Sequence, residues 1–203
     1  MDISTMNGTI KYYDENASYY FDSTSQVDLV SLYKEFLKYV PAGGRIMDLG
    51  CGSGRDVKWF RDHGYEADGL DASEKLVRIA SEKLGIPVKV GFIESWIADK
   101  AYDGIWCCAS LVHLDDNRID QFLSNLRHNL KKGGALFISV KEGIDSGNIE
   151  DGRYFRDFSE EALKALISHY KGLGIEKVWY TEDKMHRESF KWLNAIIRSN
   201  EYE

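Results

Sequence analysis

The sequence predicts an α/β fold in which a seven-stranded sheet carries helices on both faces, on three observations. Short apolar runs of strand length alternate along the chain with stretches whose apolar residues recur at helical spacing, the pattern of parallel strands with covering helices. The first of those runs, 46–49, opens directly onto Gly50, Gly52 and Gly54 in the stretch "IMDLGCGSGRD". The last two apolar stretches lie close enough in sequence to pair as an antiparallel hairpin.

Residues 29–40 place Leu29, Leu32, Tyr33, Phe36, Leu37 and Val40 on one helical face, and "PAGG" at 41–44 stops that helix. The run 46–49 is a buried strand. After the glycine turn, 55–63 reads as a helix ending at Gly64, followed by a second strand around "EADGLD", a helix over 73–84 and a third strand at "PVKVGF". "GIWCCAS" is the fourth strand. Asp116 to Leu130 carries Ile119, Phe122, Leu123, Leu126 and Leu130 as a helical stripe, with "KKGG" expected to close it through C-terminal cations and a glycine beyond. "ALFISV" is the fifth strand, Ser159 opens a helix with Leu163, Leu166, Ile167 and Tyr170 as its stripe, and "IEKVWYT" and "SFKWLNAIIR" complete the seven.

The chain has 203 residues, enough to bury a substantial core as one domain. Lys and Arg number 26 against 33 Asp and Glu, and the resulting net charge of −7 repels nucleic acid and anionic membranes over most of the surface. That balance favours a small-molecule partner. Neither a membrane span nor a signal peptide is visible, so the expected location is cytoplasmic. Cys51, Cys107 and Cys108 form no CxxC pattern and read as plain buried thiols, with no metal site expected.

The turn does not fit a dinucleotide fingerprint, because counting from Gly50 the sixth position is Arg55 and the third glycine comes one place early. Asp48, at the tip of the preceding strand, would repel a diphosphate but suit a cationic ligand. Asp71 follows Gly50 by 21 positions at the end of the second strand, where an acid accepts two hydrogen bonds from a ribose diol. S-adenosylmethionine, a nucleoside with sulfonium and ammonium charges, satisfies both requirements, and the glycines let backbone approach it closely.

With "DLGCGSGRD", "GLDAS" and "YDGIWCCASLVHL" in succession, the chain resembles the class I S-adenosylmethionine-dependent methyltransferases over nearly its whole length. "YYDENASYY", "DGRYF" and "WLN" are similar to a bacterial group of small, tellurite-resistance-like members. The resemblance implies a Rossmann-like mixed sheet in the order 3-2-1-4-5-7-6, an N-terminal lid and helix over 1–40 and a catalytic core over 41–203. It implies that Asp48, Gly50, Gly52, Ser53, Gly54 and Arg55 lie along the methionine portion and Asp71 on the ribose, with Ala72 and Ser73 beside the adenine. The adenine-edge loop corresponds to "FIES", where Ile93 lies and where Glu94 and Ser95 are both candidates for the exocyclic amine. Tyr20, Ala109 and Ser110 complete the cofactor set.

The acceptor side is expected from the loops after strands four and five, which leave the same carboxyl edge of the sheet. His113 is the candidate general base, and Tyr13, Arg153 and Tyr154 join it as candidate acceptor contacts. Arg153 would suit an anionic acceptor. Tyr12, Tyr13, Tyr19, Tyr20 and Phe21 form an aromatic cluster fit for a lid. Lys131 and Lys132 are explained as helix-end cations. Lys184, His186, Arg187 and Lys191 are interrupted by Glu188 and make a poor nucleic-acid footprint.

Overall fold

The structure, a computed structural model, describes residues 3–143, 147–185 and 190–200. Two helices, α1 (Ile3–Glu15) and α2 (Ala17–Thr24), precede α3 (Val30–Phe36), which a short 3-10 turn at Leu37–Tyr39 extends. The alternation then runs β1 (Arg45–Leu49), α4 (Arg55–Asp62), β2 (Glu66–Asp71), α5 (Glu74–Leu84), β3 (Val88–Val90), β4 (Tyr102–Cys108), α6 (Asp116–Asn129) and β5 (Leu130–Lys141). A hairpin of β6 (Gly147–Glu150) and β7 (Arg153–Arg156), then α7 (Glu160–Ser168), β8 (Leu173–Glu182) and β9 (Lys191–Ser199) finish the chain.

The large sheet has the order β3-β2-β1-β4-β5-β9-β8. With the separate β6–β7 pair set aside, this is the expected 3-2-1-4-5-7-6. β1 to β5 pair in parallel, and β9 runs antiparallel to both β5 and β8. Strand alternation sorts the core onto two faces. Met47, Leu49, Ile105, Cys107, Leu136 and Ile138 pack with the stripes of α6 and α7. Ile46, Trp106 and Phe137 pack with Tyr33 and Phe36 of α3 and Val57 and Phe60 of α4. Asp48 is two residues from Ile46 and opposite Trp106 in register, so the pleat sends this carboxylate toward the α3–α4 side.

Two local expectations are corrected. "KKGG" does not cap α6: the chain turns extended at Leu130 (φ −112°, ψ 131°) and β5 starts there. Lys131 turns to Asp103, 2.8 Å away, because an ion pair on the neighbouring strand is within its reach. The polar stretch after the fifth strand is a hairpin, since Asp151 (φ 50°) and Gly152 (φ 79°) both adopt the left-handed conformation that a tight two-residue turn requires. The N-terminal 40 residues hold three helices. His186, Arg187 and Glu188 lie outside the described residues. Among those described, no helix is long and apolar enough to cross a membrane.

Candidate functional site

The glycine turn is built by backbone hydrogen bonds and by lack of room. Gly50 and Cys51 amides both donate to the Leu70 carbonyl, at 2.7 and 3.0 Å. All three glycines have positive φ, which side chains other than glycine rarely adopt. A Cβ on Gly50 would lie 2.4 Å from the Ser110 Cβ, and one on Gly52 3.0 Å from the Tyr20 ring. A Cβ on Gly54 would instead strike Ile86 at 2.5 Å, so this third glycine serves the packing of α4 against α5.

Three carboxylates surround the turn, each in a different state. Asp56 is buried yet fully engaged: it accepts from Tyr33 Oη (2.5 Å), Trp106 Nε1 (2.8 Å) and the Arg55 guanidinium (2.9 Å). Burial pushes its pKa up, but the Arg55 charge and these donors outweigh that and hold it below the usual carboxylate range. Asp48 is 1 % exposed, and its Oδ2 has no hydrogen-bond partner. Burial, reinforced by the Asp56 charge, raises it well above the usual range. Asp71 ends β2, where its Oδ2 accepts the Gly52 amide (2.8 Å) and its Oδ1 the Ser73 amide (2.9 Å). Burial raises its pKa against those two bonds.

A cavity opens above this edge, with an empty volume of about 700 Å³ counting its mouth. Of the sequence-predicted residues, Gly50, Gly52, Asp71, Ala72, Ile93, Glu94, Ala109, Ser110, His113, Tyr13 and Tyr20 line it. Asp48 and Ser53 lie buried beneath the turn. Ser73 is occupied elsewhere, accepting the Leu76 amide as the cap of α5 and donating to Asp14 at 2.6 Å. Between the two adenine-edge candidates, Glu94 faces the cavity and Ser95 faces a different groove with Asp68 and Tyr102. Arg118 fixes Glu94, donating to Oε1 from Nε (2.8 Å), with Nη2 in ion-pair contact at 2.7 Å.

Residues that the sequence reading missed form the roof. Met6, Thr9 and Ile10 line the cavity with Tyr13, all on one face of α1. Their helical spacing was visible, but nothing local says what that face covers. α1 is pinned at its middle and at its C-terminal end: Thr9 Oγ1 accepts the Tyr154 amide (2.9 Å), and Asp14 takes the Ser73 hydroxyl and the Lys75 amide (3.2 Å). Phe92 and Arg118 also line the cavity unforeseen.

His113 sits at the end of the short turn Leu111–His113 after β4. Its Nδ1 is 2.7 Å from the Tyr154 carbonyl, which can only accept, so the proton is on Nδ1 and Nε2 receives the Tyr13 hydroxyl at 2.8 Å. Burial lowers the imidazole pKa to about 4, with the Arg153 charge adding to the shift. The candidate base is therefore neutral, weakly basic and already occupied. Arg153 lines neither this cavity nor the one described next. Its guanidinium stacks 4.1 Å from the Tyr12 ring and 4.8 Å from that of Phe155, and pairs with Asp151 at 3.6 Å. The flat cation is held by the hairpin and the aromatic cluster, and its Nε is buried without a hydrogen-bond partner. Tyr154 is buried and contributes backbone groups to the roof.

A second cavity of about 670 Å³, again counting its mouth, adjoins the first. Tyr20, Cys108 and Ala109 line both. Ala109 has φ 56°, a strained conformation for alanine that sets its backbone at the tip of β4. Arg55, predicted beside the methionine portion, faces this second space. Among the described residues, no group of three His, Cys, Asp or Glu is placed to hold a metal ion.

Comparison with known proteins agrees with this geometry. Residues 46–134 match the family described as "Methyltransferase domain". Over 121 residues the chain is 29 % identical to methyltransferase GfsG of Streptomyces halstedii, covering 55 % of this chain and 42 % of that protein. Over 181 residues it is 22 % identical to an uncharacterized methyltransferase of Staphylococcus carnosus strain TM300, covering 84 % and 87 %. The chain spans about half the length of the first curated relatives it matches. The fold is similar to that of the Burkholderia thailandensis 1,6-didemethyltoxoflavin-N1-methyltransferase, solved with bound 1,6-didemethyltoxoflavin and S-adenosylhomocysteine: TM-score 0.74, 16 % identity, 95 % of this chain and 85 % of that one. The segment that matches the methyltransferase-domain family is the one that supplies the glycine turn, Asp71, Ile93 with Glu94 and the tip of β4.

Proposed function

We propose that this chain is an S-adenosylmethionine-dependent methyltransferase acting on a small-molecule acceptor, with the first cavity as its cofactor site. The observation that carries the reading is the placement of two acids on one glycine turn. Asp71 stands at the rim with both oxygens oriented by backbone amides, and Asp48 lies beneath with an unpartnered oxygen. A carboxylate oriented in this way suits a vicinal diol, and a cation brought beside the buried Asp48 would favour its charged form, whereas a diphosphate would disfavour it. The close approach of Ser110 and Tyr20 to Gly50 and Gly52 leaves backbone as the floor.

When bound, the cofactor supplies an already activated methyl group on a sulfonium, so the chain's task is to bind, orient and exclude water. Asp71 would hold the ribose, and Ala72, Phe92 and Ile93 would flank the adenine. Glu94, fixed by Arg118, presents a carboxylate at the adenine edge. Helix α1, pinned through Thr9, Asp14 and Tyr13, closes over the site as a lid that must move for exchange. His113 orients Tyr13 and serves as a positioning residue.

Calorimetry with the purified protein tests the reading. S-adenosylmethionine and S-adenosylhomocysteine bind and NAD does not. Tight NAD binding without a response to S-adenosylhomocysteine overturns it.

A further inference from the structure

We propose that helix α6 is the template for recognition of the cofactor's base, and that Arg118 on it is the positioning residue that makes Glu94 select a 6-amino purine over a 6-oxo purine. The inference rests on the cofactor reading of the first cavity. The segment 91–101, which carries Glu94 between β3 and β4, forms neither helix nor strand, so its shape must be held from outside. α6 does this. Arg118, Asn125 and Asn129 are spaced so that they fall on one stripe of the helix. Each grips the segment. Arg118 Nε donates to Glu94 Oε1 (2.8 Å), and Asn125 Nδ2 donates to the Glu94 carbonyl (2.9 Å). Asn129 donates from Nδ2 to the Trp96 carbonyl (2.9 Å) and accepts the Ala98 amide on Oδ1 (2.8 Å). The helix is itself anchored, because Asp115 caps it and Ile119, Phe122 and Leu126 are buried in the core. Base recognition is thus referred to a packed helix, although the residue that performs it sits on a loop.

The direction of the Arg118 contact leaves Glu94 usable. Nε and Nη2 converge on Oε1, with Nη2 at 2.7 Å, instead of spreading the guanidinium fork across both oxygens. Among the described residues no hydrogen bond engages Oε2, and Glu94 stands on the cavity wall. Two nitrogens of a planar group on one oxygen fix the rotation of the carboxylate, which a single ammonium would not do. An ionised carboxylate oxygen only accepts. It suits the exocyclic N–H of adenine, whereas the carbonyl of a 6-oxo purine would meet it acceptor against acceptor. The pair is shielded from water, with side chains only 19 % and 10 % exposed, so a mismatched contact costs more than it would at the surface.

The test is calorimetry with S-adenosylhomocysteine and S-inosylhomocysteine, its 6-oxo counterpart. The wild type prefers the adenine compound by about tenfold or more. Arg118→Met frees the carboxylate to turn and cuts that preference to within about threefold, while the inosine compound keeps its wild-type affinity within about threefold. Asn125→Ala alters no charge and removes only the hold on the Glu94 carbonyl; it lowers the preference by about threefold. A purely structural loss would weaken both compounds together and leave their ratio unchanged. If Arg118, which also lines the cavity, read the base with its own donors, its removal would raise the adenine preference. Either result in Arg118→Met overturns the proposal, as does a wild type that binds both compounds equally. An unchanged ratio in Asn125→Ala overturns the templating role of α6. If S-adenosylhomocysteine itself does not bind the wild type, the cofactor reading is what has failed, and this inference falls with it.

Discussion

The Tyr13 hydroxyl donates to His113 Nε2 across 2.8 Å, and the direction of that bond is fixed from the far side of the ring, where Nδ1–H is committed to the Tyr154 carbonyl. One imidazole thus joins the lid helix α1, the turn after β4 and the hairpin strand β7. Protonating Nε2 would reverse the bond to Tyr13, whose hydroxyl would then have to accept.

This arrangement makes stability pH-dependent in a definite direction. The folded pKa of His113, about 4, is depressed below the ordinary histidine value of 6.5, so the unfolded chain binds more protons between those values. The contribution is fully present above pH 6.5 and is lost progressively as pH falls from 6.5 to 4, amounting to ~3 kcal/mol at most. Denaturant unfolding of wild type and His113→Gln across pH 4–7.5 measures it. The wild type loses more stability than the variant over that window, and parallel curves would show that the imidazole is not buried neutral.

Asp14 anchors the end of α1 through Ser73 and the Lys75 amide. Replacing it with Ala removes a charge-assisted bond of roughly 1.5–3 kcal/mol, which the lid helix loses locally. Stopped-flow displacement of S-adenosylhomocysteine from Asp14→Ala should therefore show release about tenfold faster, with global unfolding changed little. An unchanged release rate means that α1 does not gate the site.

Gly54 differs in kind from the two glycines before it. Gly54→Ala combines a left-handed backbone with a Cβ driven into Ile86 at 2.5 Å. The expected loss is roughly 2–5 kcal/mol of stability, from about 1–2 for the backbone and 1–3 for overpacking. In the folded fraction, S-adenosylhomocysteine affinity stays near that of wild type. Gly50→Ala, which pushes into Ser110 on the cavity wall, should lower affinity as well as stability. Thermal melts with and without S-adenosylhomocysteine separate the two.

Asp71→Asn keeps one oxygen acceptor for the turn but loses the charge that faces the cavity. S-adenosylhomocysteine binding should weaken roughly ten- to a hundredfold, corresponding to about 1.5–3 kcal/mol for a charge-assisted hydrogen bond. Calorimetry showing unchanged affinity would place the ribose elsewhere.

By itself the sequence determined the alternation, the order of the seven-stranded sheet through its family resemblance, and the turn with Asp48 and Asp71. All of these are written in short-range terms: a run of apolar residues, a glycine that alone tolerates positive φ, an acid at a strand end. The same local logic failed at Gly133 and the lysines before it. A helix stop and the start of a bulged strand share that composition, and the choice between them was made by Asp103 on β4. The tertiary structure alone decided which face of α1 roofs the cavity, that Arg153 stacks on Tyr12, and that Glu94 and not Ser95 faces inward. It also brought Asp183 to the second cavity, beside Tyr20 and the tip of β4. Those outcomes depend on contacts between residues as far apart as Tyr13 and His113, or Thr9 and Tyr154. Such contacts form only after the sheet has set the distances between its loops, and no local pattern carries that information.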